Sequence, residues 1–487
     1  MRKELQKLLG QTAIYGLSTI LGRLINFLLV PLFTDEFTTA EFGTVSKLYS
    51  YSAFLFVLLL FGMETAFFRF VKKHTKSYST AVISVSFISI ALICFLFSQL
   101  NSIAVLINEE QALLSVQLIL LLILFDVLAA LPFAKLRTDN KASYFAMVKL
   151  TNIALTVGLN LFFLYYAKGL YDDHKDTSLY DPSIGVAYIF ISNAIASFVT
   201  LLLLLPQLLK VKLKQVSFLL FKQMFRYAWP LMLLGLAGII NETLDRIMLD
   251  YLLEGTDFER RQQIGIYGAC YKISIFISLF IQAYRYAAEP FFFDKSSEKN
   301  AQKMYATLMN YFVIIISLAL LVILLFQNLF NMFIDDKFHE GVGIVPILLY
   351  ANLFLGIYYN LSVWYKLTDK TLLGAYVGIG GAVLTVVANW VLIPYFGYYG
   401  SAIATLICYV SMALVAYMMG KKHYPVPYPL IKILTYIFST LLIYKAIISF
   451  TFLSIVMVYL LKIVGLILFF VLVYAIERKE IKEILRK

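Results

Sequence analysis

Apolar and polar residues follow one another along this chain in blocks. Mostly apolar stretches of about 20 residues recur from near Gln11 almost to the C-terminal end, with short polar segments between them. A bilayer core about 30 Å thick is crossed by about 20 helical residues. Fourteen stretches qualify, with limits near 11–33, 46–68, 79–100, 113–136, 143–166, 184–206, 227–251, 266–290, 305–327, 344–366, 371–393, 399–419, 429–449 and 453–475. The pattern predicts an all-α polytopic membrane protein with about 14 transmembrane helices.

Composition agrees. Of 487 residues, 61% are hydrophobic and 14% charged, where soluble domains are nearer half apolar and a quarter charged. The first run is too long for a signal-peptide core and no small-residue cleavage pattern follows it, so the N-terminus is expected to be retained. The loops carry a positive-inside bias: Lys72, Lys73 and Lys76 fall on one side, Asp35, Glu36 and Glu41 on the other. That places both termini in the cytoplasm. The net charge of +12 then reflects topology, and no nucleic-acid partner is expected.

Several chemistries are excluded. Cys94, Cys270 and Cys408 all fall in apolar spans, which argues against a disulfide framework. The four histidines sit in loops without metal-ligand spacing, so no metal site is expected. There is no GxxxxGK[ST], HExxH or GxSxG sequence. No loop is long enough for a catalytic domain, and the chain is not expected to be an enzyme.

The two halves resemble each other. Glu41-Phe-Gly-Thr-Val45 opens the second span and Gln263-Ile-Gly-Ile-Tyr267 the eighth; Asn160 stands late in the fifth and Asn389 late in the eleventh. Six spans per unit make the repeats parallel, related by an axis along the membrane normal. The expected division is an N-terminal six-helix lobe at 1–209, a cytoplasmic interfacial connector at 210–226, a C-terminal six-helix lobe at 227–424, an appended helix pair at 425–476, and a basic tail at 477–487.

Charges inside the spans carry the functional expectation, because each costs about 2.5–3.5 kcal/mol at the bilayer centre on insertion scales. On one helix, Glu242, Asp245 and Arg246 stand at i, i+3 and i+4 and are expected on one side of a polar cavity. The next span answers with a stripe: Tyr267, Tyr271, Ser274, Ser278, Gln282, Arg285 and Glu289. Arg23, with Asn26 on its face, Arg246, Lys272, Lys47 and Lys149 are candidate cavity cations for an anionic substrate. Snorkelling to the outer interface is the alternative for Lys47 and Lys272. Glu242, Asp245 and Asp126 are candidates for coupling to H+ or Na+; local charge balance for Arg246, and an ion pair between Asp126 and Lys149, are the alternatives. Arg285 and Glu289 read as a cytoplasmic gate or as a surface pair. No cofactor is expected beyond a coupling ion.

Four segments carry a family resemblance: Glu41-Phe-Gly43, Leu244-Asp-Arg-Ile-Met248, Ile264-Gly-Ile-Tyr267 and Ile393-Pro-Tyr-Phe-Gly-Tyr-Tyr-Gly-Ser-Ala402. In their order and spacing the chain resembles the Wzx-type polysaccharide and O-antigen flippases of the multidrug/oligosaccharidyl-lipid/polysaccharide (MOP) exporter superfamily. The resemblance implies two parallel six-helix lobes, like those of MATE exporters and the lipid II flippases, plus an appended pair beside the lipid tail. It implies alternating-access flipping of a polyprenyl-pyrophosphate-linked oligosaccharide, with membrane lipids and polysaccharide polymerase or assembly proteins as partners. Lipid II transport and drug/cation antiport are the rival activities.

Overall fold

The computed structural model describes residues 21–485, apart from 23, 26, 175–177, 295–297, 299, 369 and 450–453. Arg23 and Asn26 therefore lie outside the described residues. The longer helices, labelled in chain order with short turns left unlabelled, are α1 (Thr39–Leu60), α2 (Met63–Phe70), α3 (Ser77–Ser98), α4 (Leu113–Thr138), α5 (Ala142–Leu161) and α6 (Ala187–Leu203). There follow α7 (Phe218–Leu252), α8 (Asp257–Asp294), α9 (Ala301–Leu325), α10 (Val345–Leu361), α11 (Thr371–His423), α12 (Leu430–Ile448) and α13 (Ile455–Leu485).

Among the described residues, eleven helical segments are long and apolar enough to cross a membrane, and α6 is a shorter apolar helix. The 53-residue α11 is two helical arms meeting at Gly397, whose φ of 56° belongs to the left-handed region that only glycine enters freely. The eleventh and twelfth expected spans are those two arms. The first expected span, 11–33, falls mostly outside the described residues.

Local chemistry sets the helix starts. Thr38 and Glu41 form a reciprocal capping box at the head of α1, each side chain bonded to the other's backbone N–H. The Ser217 hydroxyl accepts from Leu220 N–H at the head of α7. That start differs from expectation: Phe218–Phe225 is not a separate connector but the first two turns of the 35-residue α7. At 1.5 Å per residue α7 is about 52 Å long, well beyond the bilayer core, so these turns project past it. The C-terminal tail differs likewise. α13 continues to Leu485, and Glu477 is buried in it, accepting from Asn310, Lys432 and Tyr436.

Contacts divide the chain into two compact units: Met1–Ala269 with Thr385–Ser401, and Cys270–Leu384 with Ala402–Lys487. In the first, an apolar core runs through α1, α2, α3, α4, α6 and the start of α7, with Leu48, Met63, Phe67, Val127 and Phe190 fully enclosed. In the second, α9 is the central helix, packed by α10, α12 and α13 and buried along most of its length.

Candidate functional site

The polar groups form separate clusters. On α7, the Arg246 guanidinium donates to Asp245 Oδ1 at 2.8 Å and to the Glu242 carbonyl at 2.7 Å. Tyr267 of α8 donates its hydroxyl to the other Asp245 oxygen, and its ring lies 5.4 Å from the Arg246 guanidinium. Asp245 and Arg246 are buried while the Glu242 side chain is exposed. The expectation that all three share one side thus holds for two. The carboxylate balancing Arg246 is its neighbour Asp245, not Glu242, because the long guanidinium folds back along the helix to reach it.

One helical turn further, a second cluster gathers at the end that the loop charges lead one to expect outside. Lys47 of α1 is wholly buried, and its ammonium lies 2.7 Å from Glu109 and 3.0 Å from Asp250. Thr44 donates to Glu109 at 3.0 Å, Asn108 to Asp250 at 3.2 Å, and Arg261 of α8 lies 3.8 Å from Glu109. Lys47 therefore does not snorkel to the interface, and its charge is matched within the protein: its carboxylate partners lie at the same depth and leave it no reason to reach for water. Neither Glu109 nor Asp250 figures among the sequence candidates. Burial pushes the Glu109 carboxyl above its ordinary range even though Lys47, Thr44 and Arg261 pull it down.

Inside the first unit, Asp126 of α4 accepts from Ser197 of α6 at 2.7 Å. Lys149 of α5 is half-buried, its ammonium 4.3 Å from the centre of the Phe133 ring. Asp126 and Lys149, offered as an ion pair, feel each other's charge but their nearest contacts are the Ser197 hydroxyl and the Phe133 ring. Asn152 donates to Thr200 at 3.0 Å on the same α5–α6 seam.

An uncharged cluster joins α7 to the first arm of α11. Thr385 donates to Asn241 at 2.9 Å, and Ser401 to Asn389 at 2.8 Å, all four residues buried. Sequence reasoning gave them no role, because neutral amides and hydroxyls raise no insertion cost large enough to notice. Their spacing along two helices was the available signal.

The α8 stripe is part buried and part bonded. Ser274 is fully buried and bonds back to the Tyr271 carbonyl; Ser278 donates to Asn352 of α10 at 2.9 Å. Tyr271, Lys272 and Gln282 are half-buried. Toward its C-terminal end, the Arg285 guanidinium lies 3.9 Å from the centre of the Tyr359 ring, and Tyr284 donates to Asn360 at 2.6 Å. The Glu289 side chain lies outside the described residues, so the expected gate pair does too. Two adjoining hollows here, one lined by Arg285, Tyr359 and Lys366 and the other by Phe292, Trp364 and Tyr428, hold about 10 Å³ each, room for about one water. No cluster of three or more metal-ligating side chains occurs among the described residues.

Long apolar helices with matched ionic and polar groups between them define a multi-pass membrane protein. Solved structures share the fold. The lipid II flippase MurJ, in an inward closed conformation, aligns over 96% of this chain and 99% of its own, with a TM-score of 0.71 at 14% identity. An inward-facing MATE-family multidrug resistance transporter of the MOP superfamily aligns over 82% and 94%, with a TM-score of 0.68 at 14% identity. The MATE multidrug transporter DinF-BH aligns over 86% and 96%, with a TM-score of 0.60 at 15% identity. By sequence, residues 8–296 match the family described as polysaccharide biosynthesis protein, and the chain belongs to that family. No curated protein matches by sequence.

Proposed function

We propose that the protein flips a polyprenyl-pyrophosphate-linked oligosaccharide from the cytoplasmic to the outer leaflet of a bacterial inner membrane. Both termini lie in the cytoplasm. Two six-helix lobes alternate access to a wet chamber while the lipid tail stays in the bilayer beside α12 and α13. Family membership supplies the cargo class, and Arg246 is the observation that carries the mechanism. A guanidinium at membrane depth, oriented by a carboxylate, a carbonyl and a tyrosine, matches the bidentate geometry of a pyrophosphate. Lys149, soft-paired to a ring, is a second contact. Arg23, Asn26, Lys272, Tyr271, Ser274, Ser278 and Gln282 complete the proposed lining. An H+ or Na+ gradient, acting at Asp126, Asp245 or Glu242, supplies the energy. Polysaccharide assembly proteins receive the product.

A second reading is lipid II transport. It is favoured by the near-complete mutual coverage with MurJ, which the MATE alignments do not reach. Both readings need the same anion contact. The test is Arg246→Gln and Arg246→Ala in cells that depend on this chain for surface glycan. Export is expected to fall at least about tenfold, the worth of about 1.4 kcal/mol, with normal membrane insertion. Wild-type export by both variants overturns the proposal. Rescue of a strain lacking lipid II flipping selects the second reading.

A further inference from the structure

The outer cluster is built unlike any other charged group described in the protein. Lys47, Glu109 and Asp250 are each at most 1% exposed, and they come from α1, the loop before α4, and the end of α7. Arg261, on α8, adds a fourth charge. The chain folds this tightly here because α1 and α8 cross backbone to backbone. A Cβ on Gly43 would stand 2.0 Å from the Arg261 carbonyl oxygen, and one on Gly265 would stand 1.8 Å from that of Thr39. One ammonium serves two carboxylates separated from it by 62 and 203 positions (109 minus 47, and 250 minus 47). The second Asp250 oxygen, Oδ1, is buried without a hydrogen-bond partner, so the Lys47–Asp250 pair is only half satisfied.

We propose that Lys47 is the pin of an outer latch: its two ion pairs tie the outer end of α1 to that of α7 and to the loop before α4, with α8 joined through Arg261 and Glu109, and both must part for that end to open. The inference rests on the alternating-access reading above, because only a cycle that opens the outer end requires the pin to be drawn. The physics suits a latch. Inside the protein the three charges hold one another, and removing the ammonium leaves two carboxylates buried together, which is strongly unfavourable. On opening, water takes over all three, so the lost attraction is largely returned as hydration. The orphaned Asp250 oxygen lowers the cost of release further. Lys47 is thus a positioning residue for transport, not a contact for the cargo.

The test uses the full chain in lipid nanodiscs, with Cys94, Cys270 and Cys408 replaced by alanine and spin labels at Q111C and F258C, both exposed positions of the outer end. Pulsed-dipolar distances report the open fraction without any substrate. Lys47→Met is expected to raise the long-distance population several-fold over wild type. The compensated K47M E109Q D250N chain, which removes all three charges, is expected to return it to the wild-type level. Unchanged distances in K47M overturn the latch. So does a compensated chain that stays open, since that assigns the effect to packing. If K47M is not recovered as a monodisperse protein, the compensated chain decides: its recovery in the closed form supports the charge argument, and its loss overturns it. Because no cargo is present, failure here leaves the Arg246 export result standing, and the two proposals fail separately.

Discussion

In the N-terminal part of α1, at the end proposed to face outward, the Lys47 ammonium is fully buried between two carboxylates; toward the C-terminal end of α8 the half-buried Arg285 guanidinium lies 3.9 Å from the centre of the Tyr359 ring. Both are cations near a helix end in an apolar chain, yet the protein treats them differently. Lys47 is dry, and every point of its charge is answered by opposite charge, so it cannot be displaced by degrees. Arg285 meets a quadrupole, worth about 0.5–2 kcal/mol. The first arrangement suits an interaction made and broken as a whole. The second suits a group that meets a passing anion and lets it go.

The largest expected effect breaks the outer region at its backbone. Gly265→Ala puts a methyl group where the Thr39 carbonyl oxygen already stands, at 1.8 Å, and neither backbone can yield. A loss of about 3 kcal/mol, the upper part of the overpacking range, is expected as a lowered unfolding temperature in detergent. Gly158→Ala is the internal control: nothing lies within 4 Å of its added carbon, and relief of helix entropy predicts a gain of about 0.5–1 kcal/mol. Equal melting of the two variants would remove the case for a tight α1–α8 crossing.

Next in size is the ionic site shared by α7 and α8. Tyr267→Phe deletes the hydroxyl that donates to Asp245 and keeps the ring. A buried hydrogen bond to a charged group is worth about 1.5–3 kcal/mol. The same thermal assay is expected to show that loss together with weaker export, because Asp245 orients Arg246. Toward the C-terminal end of α8, Arg285→Gln is expected to cost only about 0.5–1 kcal/mol in stability while lowering export. A thermal loss above that range would make Arg285 a structural group like Lys47 and erase the contrast.

How much of this was legible beforehand depends on what the signal was. Helix existence followed from hydropathy alone, since a bilayer imposes length and apolarity on each span. Depth also singled out Asp245, Arg246 and Lys47 as costly charges. Partners were another matter. Glu109 reads as an ordinary loop acid and Asp250 as the last polar residue of a span, and nothing local joins them to Lys47, which is far from both in sequence. The sequence pairs Asp126 with Lys149 too closely for a related reason: a depth estimate from span limits cannot see that Ser197 and Phe133 lie nearer. Asn241, Thr385, Asn389 and Ser401 were missed because neutral residues carry no alarm. Glu477 was assigned to a tail because the last helix passes beyond its apolar run, and only Asn310, Lys432 and Tyr436 bring the acid indoors.

The smallest effect concerns pH and sharpens the comparison most finely, since it is read at the Lys47 cluster. Burial raises the Glu109 carboxyl above its ordinary value, outweighing the pull of Lys47, Thr44 and Arg261. A carboxyl whose folded value is raised binds its proton more tightly folded than unfolded. Its contribution to stability is therefore fully present below the ordinary glutamate value of about 4.3 and is lost as pH rises through the raised value. Thermal stability of the wild type is expected to decline across that window relative to E109Q, which has no proton to lose there. The decline measures by how much desolvation exceeds attraction at the pin. If instead the two melting curves stay parallel, Lys47 already matches the carboxylate in full, and the outer lock is held more firmly than a latch that must open on every cycle can be.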